Sequence, residues 1–250
     1  MPATPPGLPE FRVRAVTDPA DPALAAFGIL QNRVYFEPHN LIPATYIGAL
    51  LRESPGEATE RHNTLLVAED RAGGLLGGTF FHFLSAVRTG FSSFLGVDGA
   101  ARGQGVARTL HNARWTALME QSGGTCRGLF IDVVSPGRLS AGQRAAEARV
   151  GSDPLARRRA FGALGFATVD VRYEQPVGGP DGGPVTDLDL LYFAPGAPAR
   201  VPAQLVADTM CAYWTPWLGA ARAEREAGRL RERAGGPEVA LLPAGQSPEG

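Results

Sequence analysis

One stretch, Phe91 to Gln121, does most to limit what this chain can become. It opens on an apolar, aromatic run, Phe91 to Val97, with the character of a strand. A short polar loop follows, and then Arg102-Gly103-Gln104-Gly105-Val106-Ala107 opens a segment with apolar or small residues at Val106, Leu110, Ala113, Ala117 and Leu118. That spacing marks one face of a helix. A strand, a glycine turn and a helix in this order aim several backbone N–H groups and the positive end of a helix dipole at one point. A phosphate or pyrophosphate is favoured there. Glycine suits the turn because a side chain would hold the ligand off the backbone. The alternative is a glycine-rich turn that binds nothing.

Two nucleotide motifs fail on these residues. A P-loop needs a lysine and then serine or threonine after its second glycine, but Val106 and Ala107 follow Gly105. A dinucleotide fingerprint begins at Gly103 and Gly105, but Arg108 stands where its last small residue belongs. A third signature fits. Arg102, Gly105 and Ala107 match Q/R-x-x-G-x-G/A, and the segment resembles the acetyl-CoA loop of the GNAT acyltransferases, including the preceding strand that ends in Val97. The resemblance implies acetyl-CoA as cosubstrate. It places the backbone of Arg102, Gly103, Gln104, Gly105, Val106 and Ala107 on the pyrophosphate, and that of Leu95, Gly96 and Val97 on the pantetheine and the developing oxyanion.

The remaining elements read in the same order. Phe11, Val13 and Ala15 alternate with arginines as a half-exposed strand, and Asp21-Pro22 starts a helix to about Val34. A second helix spans about Pro43 to Arg52, before a polar loop from Glu53 to Asn63. Thr64–Glu69, Leu75–Leu84 and Phe91–Val97 are joined tightly enough for an antiparallel meander. Gly128–Val134 is a nearly continuous apolar strand, which indicates burial on both faces. Ser140 and Gln143 have capping-box spacing inside the 135–152 insertion, which is either a substrate lid or a loose loop. Asp153-Pro154 caps a helix, and the last two strands are about Ala167–Glu174 and Val185–Phe193. This order resembles the complete GNAT core: an α/β (α+β) fold with a central mixed, mostly antiparallel sheet flanked by helices. Arg157–Phe166 is similar to the family's fourth-helix segment, with Gly165 and Phe166 matching it.

The division expected is a core over 10–194, a C-terminal helical extension over 195–233 and a disordered tail over 234–250. Pro216 should end the extension's first helix near Thr215. Tyr213, Trp214 and Trp217 form a large apolar area that needs a partner. The core itself is favoured over a second copy in a homodimer.

The resemblance implies transfer of an acetyl group to an amine by direct attack in a ternary complex. The amine is mostly protonated at neutral pH, so a base is needed. Asp132 is the first choice, since Ile131-Asp132-Val133 is similar to the family's Leu-Glu-Val, where the glutamate is the base. Its other reading is a carboxylate bonded to the backbone. Glu37, His39 and His82 are reserves, and His82 in its aromatic run reads first as a core histidine. The family's acid, a tyrosine, is replaced by Phe161, which cannot donate a proton. Tyr173 or a water takes that role, or the thiolate leaves unassisted, or the chain is a catalytically silent acetyl-CoA-binding sensor or scaffold. Arg157, Arg158 and Arg159 face a coenzyme A phosphate, an acidic substrate or solvent.

Composition excludes other classes. A net charge of −1 carries no nucleic-acid footprint, and two cysteines are too few for a disulfide framework. No apolar run is long enough to span a bilayer, and the N-terminus lacks a secretory pattern, so a cytoplasmic location is expected. No metal site is read from the sequence. Small amines, antibiotics, peptide N-termini and lysines all remain open as acceptors.

Overall fold

A computed structural model describes residues 11–37, 40–52, 61–178 and 183–248. Its strands are β1 (Phe11–Val16), β2 (Arg61–Asp70), β3 (Leu75–Leu84), β4 (Thr89–Val97), β5 (Leu129–Val134), β6 (Ala167–Val169), β7 (Leu188–Phe193), β8 (Arg200–Pro202) and β9 (Glu238–Pro243). Its helices are α1 (Pro22–Val34), α2 (Ala44–Arg52), α3 (Val106–Gln121), α4 (Ala141–Arg149), α5 (Pro154–Ala163), α6 (Ala203–Leu218) and α7 (Ala220–Ala234). The strands form one sheet in the order β1-β2-β3-β4-β5-β7-β6-β9-β8. Every pairing is antiparallel except β4 with β5, which run parallel. The connection between those two is α3, as a parallel pair requires.

Local chemistry fixes the helix starts. Asp21 and Asp153 accept from the backbone N–H of Ala23 and Leu155, each at 2.9 Å, with a proline at the first helical position. In α4 the Ser140 hydroxyl accepts from Gln143 N at 3.2 Å, and the Gln143 side chain accepts from Ser140 N at 2.9 Å. The 135–152 insertion therefore contains an ordered helix.

The sheet separates the core into layers. On β5, Leu129, Ile131 and Val133 pack against α3 and α5, whereas Phe130 packs with α6 and α7. This two-sided burial is the reason for the continuous apolar run. Asp132 interrupts it on the face toward α6, the side of Phe130. Helices α1 and α2 cover β2 and β3 through Phe27, Ile47, Leu65 and Phe80.

Several expectations need correction. Helix α6 continues through Pro216 to Leu218. The proline forgoes one backbone bond, and α6 is held there by the burial of Tyr213 and Trp214 on the core. Packing on the core, the favoured expectation, holds for Trp214, which is fully buried, and Tyr213, which is nearly so, whereas Trp217 is partly exposed. The strand expected over Ala167–Glu174 ends at Val169; beyond it a single bridge joins Gln175 to Val185. The extension expected to be helical over 195–233 also contains β8. The tail expected to be disordered instead forms β9, inserted between β6 and β8. Its order comes from that pairing, a long-range partner that composition does not reveal. No described helix is long and apolar enough to cross a membrane.

Candidate active site

Strands β4 and β5 pair over only three residues, Gly90–Ser92 against Leu129–Ile131. Beyond Ser92 and Ile131 they diverge. On its other edge β4 stays paired to β3 with a register shift between Phe80 and Phe81, which leaves Ser93 as an extra residue. The fully buried Arg114 of α3 braces this irregular segment. Its guanidinium donates to Ser92 Oγ at 2.6 Å and Thr79 Oγ1 at 3.3 Å, and Thr79 Oγ1 donates to the Phe94 carbonyl at 2.8 Å. Among the described residues no carboxylate pairs with Arg114, and burial pulls its pKa down to about 9.

A cavity of about 740 Å³ fills the gap between the diverging strands. Leu95, Gly96 and Val97 line one wall, and Ile131 to Val134 line the other. The N-terminus of α3 opens into it through Arg102, Gly103, Gly105, Val106 and Ala107. Gly103 and Gly105 have φ of 78° and 84°, the left-handed region that favours glycine, and a Cβ at either would meet nothing within 4 Å. Gly105 is the N-cap, with no side-chain capping bond. Among the described residues the first α3 N–H with a backbone acceptor is Thr109, to Gly105 at 3.0 Å. The N–H groups before it are the unsatisfied donors of a helix start. Arg102, Arg108 and Arg157 add positive charge to the same cavity. Gln104 does not line it; its amide turns back to the Ala100 carbonyl at 2.9 Å. Donors, dipole, arginines and open space fit the pyrophosphate of a coenzyme A thioester.

Asp132 lies on the cavity wall, half-buried, and desolvation raises its pKa to about 6. The Tyr173 hydroxyl donates to Asp132 Oδ2 at 3.4 Å and more closely to Gln175 Oε1, which also accepts from Trp214 Nε1 at 3.1 Å. Tyr173 is wholly buried and absent from the lining described. Burial, and then the charge of Asp132, push its phenol well above the usual range. Tyr173 is thus bonded to Asp132 from outside the cavity lining.

Of the reserve groups, Glu37 and His82 are not among the lining residues. His39 lies outside the described residues. Glu37 accepts from Gln143 at 2.9 Å and from Asn40 at 2.8 Å. His82 is fully buried between Asn63 and Ser93, 2.7 and 2.8 Å away, and burial holds its pKa well below the imidazole range. Phe161 lines the cavity with a bare ring. The three consecutive arginines diverge. Arg157 binds Glu147 and lines the cavity, Arg158 is buried on Asp189 at 2.7 Å, and Arg159 is exposed beside Asp153.

Three cavity residues escaped the sequence reading. Tyr35, the C-cap of α1, turns into extended backbone there and lines the cavity. Burial and the charge of Asp132 raise its pKa, so the phenol stays protonated. Tyr213 and Trp217 of α6 close the cavity from the extension. Tyr213 stacks on Phe91 with centroids 3.6 Å apart, and its hydroxyl is 3.0 Å from Ser93 Oγ.

No family model and no curated relative matches the sequence. Solved structures do align with the fold. The spermidine/spermine N-acetyltransferase of Vibrio cholerae is 15% identical, with a TM-score of 0.43, over 74% of this chain and 92% of that one. The ribosomal-protein-S18-alanine N-acetyltransferase of Escherichia coli is 14% identical, with a TM-score of 0.42, over 73% and 92%. A GNAT-family acetyltransferase of Staphylococcus aureus is 10% identical, with a TM-score of 0.46, over 73% and 98%. Likeness at this level describes the course of the chain and not its chemistry.

Proposed function

We propose that this chain is an N-acyltransferase of the GNAT type, moving an acetyl group from acetyl-CoA to an amine. The observation that carries this reading is the divergence of β4 from β5 beside the uncapped, glycine-built start of α3. One cavity thereby joins an anion site to a carboxylate of raised pKa.

Acetyl-CoA supplies an activated carbonyl; the chain supplies placement and proton handling. The N–H groups at the start of α3, with Arg102 and Arg108, hold the pyrophosphate. The β4 edge beyond Ser92, free of β5, offers backbone groups to the pantetheine arm and to the carbonyl oxygen as its negative charge grows. Asp132, ionised at neutral pH but close to its pKa of about 6, takes the proton of the acceptor ammonium. The amine then forms its bond to the carbonyl carbon as the carbon–sulfur bond breaks, and the nitrogen sheds its surplus proton to solvent. The protonated Tyr35 phenol, also on the cavity, hands a proton to the departing sulfur and regains one from solvent. Tyr173 acts through Asp132, as a positioning residue.

Phe161, where a hydroxyl would otherwise meet the thioester, favours a second reading: a silent acetyl-CoA-binding protein. Calorimetry with acetyl-CoA, followed by thiol release across a panel of amines, tests both. Binding with release is expected. Absence of binding refutes the transferase reading, and binding without release from any amine leaves the silent protein.

A further inference from the structure

We infer that Arg114 serves the transfer as a positioning residue. Through two hydroxyls it polarises the Phe94–Leu95 peptide, whose N–H is the donor to the thioester oxygen as negative charge grows there. This rests on the transferase reading and deepens it. The direction of the Leu95 N–H follows from the ladder. The Asp98 N–H donates to the Leu76 carbonyl at 2.8 Å, which makes those two a bonded pair one step beyond Val97 and Gly77. Bonded and non-bonded pairs alternate in an antiparallel ladder, so Gly96 with Gly78 and Phe94 with Phe80 are bonded pairs, and Leu95 with Thr79 is not. The Phe94 carbonyl therefore faces β3. The Leu95 N–H, across a trans peptide, points the opposite way, into the gap that β5 has left. Leu95 lines the cavity there, and its N–H is the first that this alternation turns into the gap past the bulge.

Behind that peptide stands a buried cation. Among the described residues no carboxylate pairs with Arg114, and its Nε has no hydrogen-bond partner. Its Nη1 donates to Ser92 Oγ at 2.6 Å and to Thr79 Oγ1 at 3.3 Å. Each hydroxyl, with a lone pair so engaged, turns its own proton to the same acceptor, the Phe94 carbonyl. Thr79 reaches it at 2.8 Å and Ser92 more loosely at 3.4 Å. Two relays thus leave one nitrogen and end on one oxygen. All three side chains are fully buried, and hydrogen bonds in such a chain strengthen one another. A cation at its head draws electron density from the carbonyl, and amide resonance passes the effect to the Leu95 N–H. The donor is set before the substrate arrives, which is what makes such a group effective on a developing oxyanion. A brace for the bulge alone would not need a charge, whose burial without a partner is costly.

The test uses the full-length protein and acetyl-CoA carrying carbon-13 at the thioester carbonyl. Difference infrared spectra of the bound thioester read the polarisation directly and need no acceptor. Thr79→Val keeps the shape and the Arg114–Ser92 bond and removes the closer hydroxyl. Expected is a carbonyl band at higher wavenumber than in wild type, with acetyl-CoA affinity unchanged in calorimetry. With the amine of the panel that releases thiol fastest, kcat should fall about tenfold, a part of the roughly hundredfold or greater loss that follows removal of a whole oxyanion donor. Thr79→Ser, which restores the hydroxyl, should return both band and kcat toward wild type. Ser92→Ala, which removes the looser relay, should shift the band the same way by less, and it decides the matter if Thr79→Val does not fold. An unchanged band in a folded variant with acetyl-CoA bound overturns the inference, makes Arg114 a brace alone and leaves the transferase standing. Failure of the wild type to bind acetyl-CoA removes both readings. Binding without thiol release from any amine removes the transferase reading and the role of Arg114 in transfer with it, whatever the band shows.

Discussion

Asp132 carries opposite demands, and a single substitution separates them. Its pKa is raised to about 6 by desolvation, so it is ionised at neutral pH at a cost to the fold. Between its ordinary value and about 6 the folded chain binds more protons than the unfolded one. Stability therefore falls as pH rises through that window and stays reduced above it. Asp132→Asn should be more stable at pH 7 by up to about 3 kcal/mol, with the gain vanishing below pH 4, as denaturant midpoints at the two pH values will show. The same variant should lose roughly a hundredfold in turnover while acetyl-CoA affinity is kept. Wild-type kcat/KM should show an acidic limb near pH 6 that is missing from the variant. A variant that is less stable at pH 7 would identify Asp132 as a bonded structural carboxylate. Tyr35→Phe tests the other proton. Turnover should drop at least about tenfold, less than the usual hundredfold, because a thiolate leaves with little help. Unchanged turnover would mean that solvent protonates the sulfur.

At the scale of elements, the start of α3 is the part most open to challenge. Gly105→Glu places an anion and a Cβ in space that is empty, at a φ of 84° that side chains resist. Acetyl-CoA binding should be abolished in calorimetry; retained affinity would move the coenzyme elsewhere in the cavity. This element was legible from sequence because its signals are local: an aromatic strand, glycines and a helical face within one stretch. The caps at Asp21, Ser140 and Asp153 were legible for the same reason. The walls were not. Tyr35 follows a helix with no pattern to mark it, and Tyr213 and Trp217 reach the cavity only because of how α6 docks on β3 and β4. Asp132 could be singled out as a carboxylate in an apolar run, but its partner Tyr173 is a contact across forty-one positions in the chain. Strand β9 was missed because its evidence is the register Ala167–Val169 against Leu241–Pro243, and no local pattern encodes it.

At the scale of the whole molecule, the C-terminal residues are fastened to the wall of the cavity by one buried cation. Arg158 has no exposure. Its guanidinium donates to Asp189 at 2.7 Å, to Thr168 and the Gln246 carbonyl at 2.6 Å each, and to the Ala244 carbonyl. Ser247 donates to the same carboxylate at 2.6 Å and lies 3.0 Å from Ser135 Oγ. Arg158 belongs to α5, between Arg157, which lines the cavity, and Phe161, which lines it too. Deleting residues 236–250 would remove β9, two of the carbonyls that Arg158 uses and the hydroxyl on Asp189. The charge pair would remain buried but poorly satisfied, the arrangement most costly to a fold. The deletion should lower unfolding free energy by about 3 kcal/mol or more, whereas Ser247→Ala, which takes one bond, should cost about 1 kcal/mol. Because α5 would loosen, acetyl-CoA affinity should fall several-fold in the deletion and stay near wild type in Ser247→Ala. Urea denaturation and calorimetry on the three proteins decide the matter. Equal midpoints would mean that the tail merely lies on the sheet. A large loss of stability with unchanged affinity would mean that α5 is held by the sheet alone, and that the C-terminus supports the fold without reaching the site.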